Sequence, residues 1–474
     1  MNKKNKITII ILFALIILFI TVKILILWLS VGDEFINFYN TYKIYMGEKI
    51  YKEVNVVSTP LLFYIGVLFL KIFGPNLITF KFYAIVMNSI IVITTYKIFR
   101  NLKIKQEQSM LYTIIIEIIL SIRTISMGAT YNLMAYMFCL IGINNTIKKK
   151  ETKNYYKKQG IIIFLIFMSK QNIGIYYTLA NIVIEIIENR KNWIKTTIKM
   201  IILPISLFGI YLLYLYIDNN LYNFIDLTVL GLREFKNNYY IDMGGLIAIY
   251  ANVIFISLII GIPNRIQLEN VSKEITTELL VIGIFLIMVG YPIVDCWHLS
   301  FSVAILAIDV IYILQGTLLI NEKIYNIILL ILTILIALFC IFECWSYLCV
   351  CCKDKNDSFY LMCVQEKRNN KINKISKYIY NSDKKVVIMS PEAELVYFRM
   401  KIKSNGILDL PLQGNLGKNG KEKIINQISN YNDIYFLMTK EKFSYQEMEE
   451  VRKFVIDNYN QIGEIENYNI YYIK

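Results

Sequence analysis

Charge is scarce in this 474-residue chain, because only 18% of the residues are charged and 56% are hydrophobic. A soluble globular chain averages roughly 25% charged and about 45–50% apolar residues. So little charge excludes a molecule whose whole surface faces water. The composition therefore predicts an integral membrane protein, with the lipid bilayer as one of its partners.

Histidine is almost absent, and the cysteines form no repeated C-x-x-C pattern. The chain has one histidine, His298, and eight cysteines. Six of the cysteines lie near one predicted membrane exit: Cys340, Cys344, Cys349, Cys351, Cys352 and Cys363. One histidine with scattered carboxylates is a poor donor set for a transition metal. We therefore assign no metal ligand and no function to the cysteines, and a divalent cation stays open as a cofactor.

The positive charge is unevenly distributed. A net charge of +14 would suggest nucleic acid in a soluble protein. Here the Lys/Arg clusters fall in alternate loops between apolar segments, at 97–105, 148–158, 190–199 and 265–273. Such alternation is typical of cytoplasmic loops. The excess is therefore an orientation signal: it predicts no nucleic-acid partner and a cytoplasmic amino terminus.

The apolar segments predict a polytopic helical membrane protein. Residues 7–29 form a long apolar run without a small-residue cleavage site, so we interpret them as an uncleaved first helix. Residues 60–73 are too short for an ordinary crossing and are predicted to be re-entrant or interfacial. Residues 160–187 must return to their starting side, so they are predicted as two short segments broken within 169–174. The total is about eleven crossings.

The composition changes after this region. From about residue 353 the chain is charged, with strand-like runs at 384–389, 433–438 and 468–473 and helical patterns between them. We predict a transmembrane domain over 1–345, including a first outer loop at 32–78, and a small α/β domain over 346–474. The orientation places this second domain outside the cytoplasm.

The first outer loop carries the most specific pattern. An acidic pair, Asp33-Glu34, directly follows the first helix and precedes an aromatic-rich stretch to Tyr51. A segment centred on Pro60 then leads into an apolar and aromatic run that ends in Phe73-Gly74. On position alone, a solvated acidic turn would explain the acidic pair. The whole of 32–74, however, resembles the first outer loop of GT-C glycosyltransferases, the polyprenyl-phosphate-sugar-dependent enzymes typified by protein O-mannosyltransferases and aminoarabinose transferases.

This resemblance implies a GT-C-like fold with interfacial helices in the first outer loop. It implies that Asp33 is the catalytic carboxylate and that Glu34 assists it. Some members carry an acidic or Glu-Lys pair before a double proline, whereas this chain has Ser58-Thr59 before the single Pro60. A second carboxylate or metal ligand from that motif is therefore absent.

The chemistry of such a transfer explains the need for one base. A lipid phosphate leaves as an anion that is stable at neutral pH, so only the incoming hydroxyl must lose a proton. A glycosidase differs because it needs two carboxylates. The donor phosphate requires cations, and the candidates at the predicted depth are Arg123, Lys170, Arg233 and Lys236. Snorkelling to the membrane surface is the alternative explanation for these residues.

A second segment on the predicted outer face contains Asp295 and His298. It is a looser match to an outer-face segment of the same superfamily. A lone histidine is usually a polar boundary residue. Its spacing from Asp295 favours substrate hydrogen bonding over metal binding for both residues.

The leading prediction is an inverting glycosyltransferase of the cell membrane. It would move a sugar from a polyprenyl-phosphate donor to an extracytoplasmic acceptor, which could be a glycan, a lipid or a protein. The alternatives are a polytopic transporter or flippase and a cell-surface polysaccharide polymerase or ligase. A glycine-rich stretch at 414–421 looks like a phosphate-binding loop but lacks the G-x-x-x-x-G-K-[ST] spacing, so we predict a surface turn.

Overall fold

The structure is a computed structural model that describes most of the chain. The described residues are 33–121, 128–149, 153–231, 272–290, 296–317, 366–390, 392–403, 415–431, 433–442 and 447–473, with shorter pieces at 14, 16–18, 20–21, 24, 240–241, 254, 293–294, 327, 331, 338 and 412. The chain divides into two compact units. One comprises Met1–Leu27, Ile78–Tyr211 and Tyr240–Lys353, and the other comprises Trp28–Leu77, Leu212–Tyr239 and Asp354–Lys474.

The described residues are mostly helical. The helices are α1 Asp33–Tyr45, α2 Leu61–Phe73, α3 Leu77–Asn101, α4 Gln106–Ser121, α5 Tyr131–Ile147, α6 Tyr155–Ser169, α7 Gln171–Glu188, α8 Trp193–Ile217, α9 Leu221–Ile225, α10 Lys273–Ile287, α11 Cys296–Thr317, α12 Glu366–Asn381, α13 Ala393–Met400, α14 Gly420–Ser429 and α15 Glu449–Asn458. The strands are β1 Tyr240–Ile241, β2 Ile293–Val294, β3 Lys385–Met389, β4 Ile434–Thr439, β5 Asn460–Ile465 and β6 Tyr468–Ile473. The prediction of a helical protein with a small carboxyl-terminal sheet is confirmed.

Three of the described helices are long and apolar enough to cross a bilayer: Leu77–Asn101, Trp193–Ile217 and His298–Gln315. In α8, only 17% of the apolar stretch is buried within the protein, so most of its side chains are available to lipid. Predicted crossings at 246–262 and 325–345 lie almost entirely outside the described residues. The count of about eleven crossings, like the orientation of the termini, stays a prediction.

Two segments that the charge pattern predicts to be short are short in the structure, and the re-entrant or interfacial position of residues 60–73 stays a prediction. Helix α2 has 13 residues, or about 20 Å of length, which is less than the ~30 Å of a hydrocarbon core. It ends at Gly74, whose φ of 96° lies in the region that favours glycine, and α3 starts anew at Leu77. The predicted break within 160–187 is confirmed, because Lys170 is extended between α6 and α7.

The first unit is a packed helical bundle. Helix α6 packs against α5 and α7, α10 packs against α7 and α11, and α11 packs against α4. Small residues allow these close approaches. A Cβ atom on Gly174 would lie 2.4 Å from the Cα atom of Phe167, and one on Gly283 would lie 2.5 Å from a methyl carbon of Leu306.

The second unit contains a four-stranded mixed sheet in the order β3-β4-β6-β5. Strands β3 and β4 are parallel, and β6 is antiparallel to both β4 and β5. Its core is apolar and includes Val387, Phe436 and Val455. The predicted strands β3, β4 and β6 are confirmed, whereas α12 and β5 were not expected from the sequence.

Within the second unit, the carboxyl-terminal domain contacts the first predicted outer loop. Helix α1 packs against both α2 and α13. The predicted domain boundary at 345/346 lies outside the described residues and stays a prediction.

Candidate functional site

Helix α1 begins at Asp33, the predicted catalytic carboxylate. The backbone of Asp33 is described but its side chain is not. Glu34 is half-buried. The helix is held by an aromatic face, because Phe35, Phe38 and Tyr39 are at most 2% exposed. The rings of Phe35 and Tyr39, one helical turn apart, stack at 6.3 Å. This packing fixes the helix that carries the acidic pair.

The chain after α1 is tied to the segment that follows α8. The ammonium of Lys49 lies 2.5 Å from a carboxylate oxygen of Asp218, and the hydrogen bond to Asp218 and its negative charge raise the pKa of Lys49 above its ordinary value. The side-chain amide of Asn220 donates to the carbonyl of Ile50 at 2.7 Å. These bonds hold the loop in one conformation and offset the conformational entropy that the loop loses on ordering.

The residues before Pro60 are neutral and buried. Ser58 and Thr59 are 3% and 0% exposed, and the hydroxyl of Tyr51 donates to the carbonyl of Ser58 at 3.0 Å. Pro60 then precedes the first residue of α2. This position therefore supplies packing and no charge, in agreement with the departure from the superfamily pattern seen in the sequence.

In the first unit, Lys170 lies at the break between α6 and α7 and is half-buried. Its Nζ atom donates to Oδ1 of Asn132 at 2.5 Å and lies 5.2 Å from the ring centre of Tyr131. Lys170 is therefore held against the start of α5. These contacts do not fit a side chain that extends freely to the membrane surface.

A small cavity of about 10 Å³ is lined by the same asparagine. Its lining residues are Asn132, Tyr136, Cys139, Ile173, Leu286, Val289, His298, Phe301 and Ser302. Asn132 thus contacts Lys170 and also lines the cavity that His298 lines. This volume is about that of one water-sized probe, so the cavity as described has room for a water molecule and not for a sugar, and its wall is mostly apolar with a few polar groups.

Two buried polar groups near this cavity are unusual. The hydroxyl of Tyr136 and both carboxylate oxygens of Glu117 are buried without a hydrogen-bond partner, as judged over the described part of the chain. Leaving such groups unpaired destabilises a fold by about 1–3 kcal/mol each. Sites that keep unpaired polar groups are candidates for ligand binding. The sequence pattern alone did not separate Glu117 from other acidic residues in apolar segments.

Lys81 is a second cation in the first unit that a hydrogen bond holds in place. It was not identified from the sequence. It belongs to α3, is 1% exposed, and its Nζ atom donates to the carbonyl of Ile24 at 2.8 Å. The signal in the sequence was a lysine in the apolar first half of a long helix, far from the basic residues of its last turns. A buried ammonium of this kind is expensive in a membrane and marks a candidate for function.

Several predicted residues cannot be placed. Arg123, Arg233, Lys236 and Asp295 lie outside the described residues, as do the six clustered cysteines. Among the residues that are described, no three His, Cys, Asp or Glu side chains come together in a way that could hold a metal ion.

Comparisons with solved structures show a likeness in fold to ArnT. The chain matches two crystal structures of ArnT, an aminoarabinose transferase from Cupriavidus metallidurans, one in the apo state and one bound to undecaprenyl phosphate. Each match has a TM-score of 0.59 and 8% sequence identity, and covers 99% of this chain and 98% of ArnT. The resemblance to aminoarabinose transferases that the sequence predicts is therefore confirmed for the fold. No family model and no curated protein sequence matches the chain.

Proposed function

We propose that this protein is an inverting glycosyltransferase of the cell membrane that uses a polyprenyl-phosphate-linked sugar as its donor. The observation that carries the proposal is the likeness in fold, over 99% of the chain, to a protein whose structure contains undecaprenyl phosphate. The start of α1 at Asp33 supports it, because the expected base then lies at the first turn of an ordered helix.

In the proposed reaction, Asp33 takes the proton from the acceptor hydroxyl. The acceptor oxygen then bonds to the anomeric carbon as the bond from that carbon to the phosphate oxygen breaks. The electron pair of the broken bond stays on the lipid phosphate, which leaves as an anion. One base is sufficient, and attack opposite the leaving group inverts the anomeric carbon. Glu34 orients the base or the acceptor.

Cations are needed to bind the donor phosphate. Lys170 is our first candidate among the described residues, because Asn132 and Tyr131 hold its ammonium in one position. Arg123, Arg233 and Lys236 are further candidates. His298 and Asp295 would hydrogen-bond the sugar.

The test is transfer of a labelled sugar from a synthetic polyprenyl-phosphate sugar to extracted envelope acceptors by the purified, full-length protein. Formation of a labelled product and free polyprenyl phosphate in equal amounts is expected. Movement of the intact donor across vesicles without transfer would instead favour a flippase. The sugar and acceptor classes would follow from mass spectrometry of the product.

A further inference from the structure

The cavity that His298 lines has the size and the polar wall of a site for one water molecule. Its volume is about 10 Å³, which is about the space that a single water needs. Polar side chains line it from two helices of the first unit: Asn132 and Tyr136 of α5, and His298 and Ser302 of α11. A buried water is held by about two to four polar partners, and this wall supplies them.

The hydroxyl of Tyr136 is the strongest sign of a bound molecule. Tyr136 is 1% exposed, and its hydroxyl is buried without a hydrogen-bond partner among the described residues. Its ring is fixed against that of Phe301 on α11, with the ring centres 4.8 Å apart. Buried hydroxyls bond to protein or to ordered water in the great majority of structures, because an unpaired one destabilises the fold. A water in the cavity satisfies this hydroxyl.

Two neighbouring side chains are suited to the same water. Ser302 is buried, and its hydroxyl donates to the carbonyl of Leu299 at 2.9 Å, so its oxygen can accept a further bond. Asn132 accepts from Nζ of Lys170 at 2.5 Å through Oδ1, and its amide N–H groups can donate. One water therefore finds both a donor and an acceptor in the wall that contains Tyr136.

We propose that this cavity binds one water molecule, which joins the hydroxyl of Tyr136 to the imidazole of His298, and that Tyr136 is a positioning residue for the chain's one histidine. The hydrogen bond at one ring nitrogen of a histidine determines which of the two nitrogens carries the proton. The water therefore fixes the tautomer and the orientation of the ring. Its effect on sugar binding rests on the proposed function, whereas the water site rests on described side chains alone.

A crystal structure of the full-length wild type tests the water directly. In a map that shows other buried waters, one peak should lie about 2.5–3.2 Å from the hydroxyl oxygen of Tyr136 and from a ring nitrogen of His298. A dry cavity in such a map would overturn the proposal. The result does not depend on any assay of transfer.

The single histidine permits a second test, by nuclear magnetic resonance in solution. Full-length protein that carries isotope-labelled histidine and no histidine tag has one imidazole, so its two ring-nitrogen signals belong to His298. Tyr136→Phe removes the hydroxyl and keeps the ring, and it should shift at least one of these signals because the water loses a partner. Tyr216→Phe, at a tyrosine that is 68% exposed, should leave both signals unchanged. Identical signals for Tyr136→Phe and wild type would overturn the role of Tyr136. If Tyr136→Phe does not fold, the crystallographic test decides.

Transfer assays separate a positioning role from a merely structural one. Tyr136→Phe should lower transfer efficiency by about threefold in wild type and by less than about 1.5-fold in the His298→Leu background, because the effect passes through the imidazole. Equal losses in both backgrounds would overturn the positioning role. A wild type without any transfer would contradict the proposed function and would leave the two structural tests valid.

Discussion

Lys170 holds its ammonium 2.5 Å from the amide oxygen of Asn132, a residue that also lines the cavity beside His298. The pair connects the hairpin break to the start of α5, and it keeps a cation at the edge of the cavity. A cation fixed in this way is preorganised for a phosphate, because little side-chain entropy is lost when the anion binds.

We therefore predict that Lys170→Met raises the donor KM by at least about tenfold, since a charge-assisted hydrogen bond contributes about 1.5–3 kcal/mol. Steady-state transfer at varied donor concentration measures the effect. Lys153→Met is the matched control, because Lys153 is an exposed lysine in a loop and should leave KM unchanged. Equal KM values for the Lys170 variant and wild type would remove Lys170 from the donor site.

His298 gives a second prediction. Replacement by leucine keeps much of the volume in the cavity wall and removes the hydrogen-bonding nitrogens, so transfer efficiency should fall by about three- to tenfold. Replacement by glutamine, which retains a donor and an acceptor, should recover part of the loss. If the leucine variant were as active as wild type, His298 would be only a boundary residue.

The close packing of α6 and α7 gives a stability prediction. Gly174→Ala should lower the thermal unfolding midpoint in detergent, because the added Cβ would lie 2.4 Å from the Cα atom of Phe167 and the backbone would have to move. Gly209→Ala is the control, since nothing lies within 4 Å of a Cβ at that helical position. It should be neutral or stabilising, by up to about 1 kcal/mol. Equal midpoints for the two variants would contradict the described packing of the hairpin.

Glu48 gives a pH-dependent prediction. Burial raises the pKa of its carboxyl above the ordinary value, although the positive charges of Lys43 and Lys403 oppose the rise. A raised carboxyl pKa means that the folded state binds the proton more tightly, so this contribution to stability is present at low pH and is lost as pH rises through the folded pKa. Glu48→Gln should therefore raise the unfolding midpoint at pH 7.

The same difference should disappear below about pH 4, where the wild-type carboxyl is protonated in both states. Thermal unfolding between about pH 3 and pH 8 measures it. Glu450→Gln, at an exposed position, should show no such trend. A midpoint difference that stayed constant with pH would show that burial does not affect the titration of Glu48.

Local patterns were sufficient for much of the fold. The β-branched run at 384–389 predicted strand β3, and the charge clusters on both sides of 160–187 predicted the break between α6 and α7. Both predictions were possible because strand preference and membrane sidedness depend on short stretches of sequence. Strand β5 was missed because it is largely polar and none of its residues is buried, so it shows no alternation of apolar and polar residues. It forms an edge of the sheet and pairs only with β6.

The candidate sites depended on contacts that no local pattern contains. Lys170 could be selected from its place at a break between apolar segments. Its bond to Asn132 joins different helices. Lys81 was missed because its acceptor, the carbonyl of Ile24, is 57 residues away in the chain. Asp226 accepts a hydrogen bond from Lys423, which lies 197 residues further along the chain, so this contact of the glycine-rich stretch became visible only in the fold.

The measurement that tests the central claim most directly is sugar transfer by Asp33→Asn in purified protein. Asparagine keeps the size of the side chain and cannot accept the proton, so kcat should fall by at least about 100-fold while the unfolding midpoint stays near that of wild type. Glu53→Gln, at an exposed carboxylate in the same predicted loop, should retain nearly full activity. A folded Asp33→Asn protein that transfers sugar at close to the wild-type rate would contradict the account.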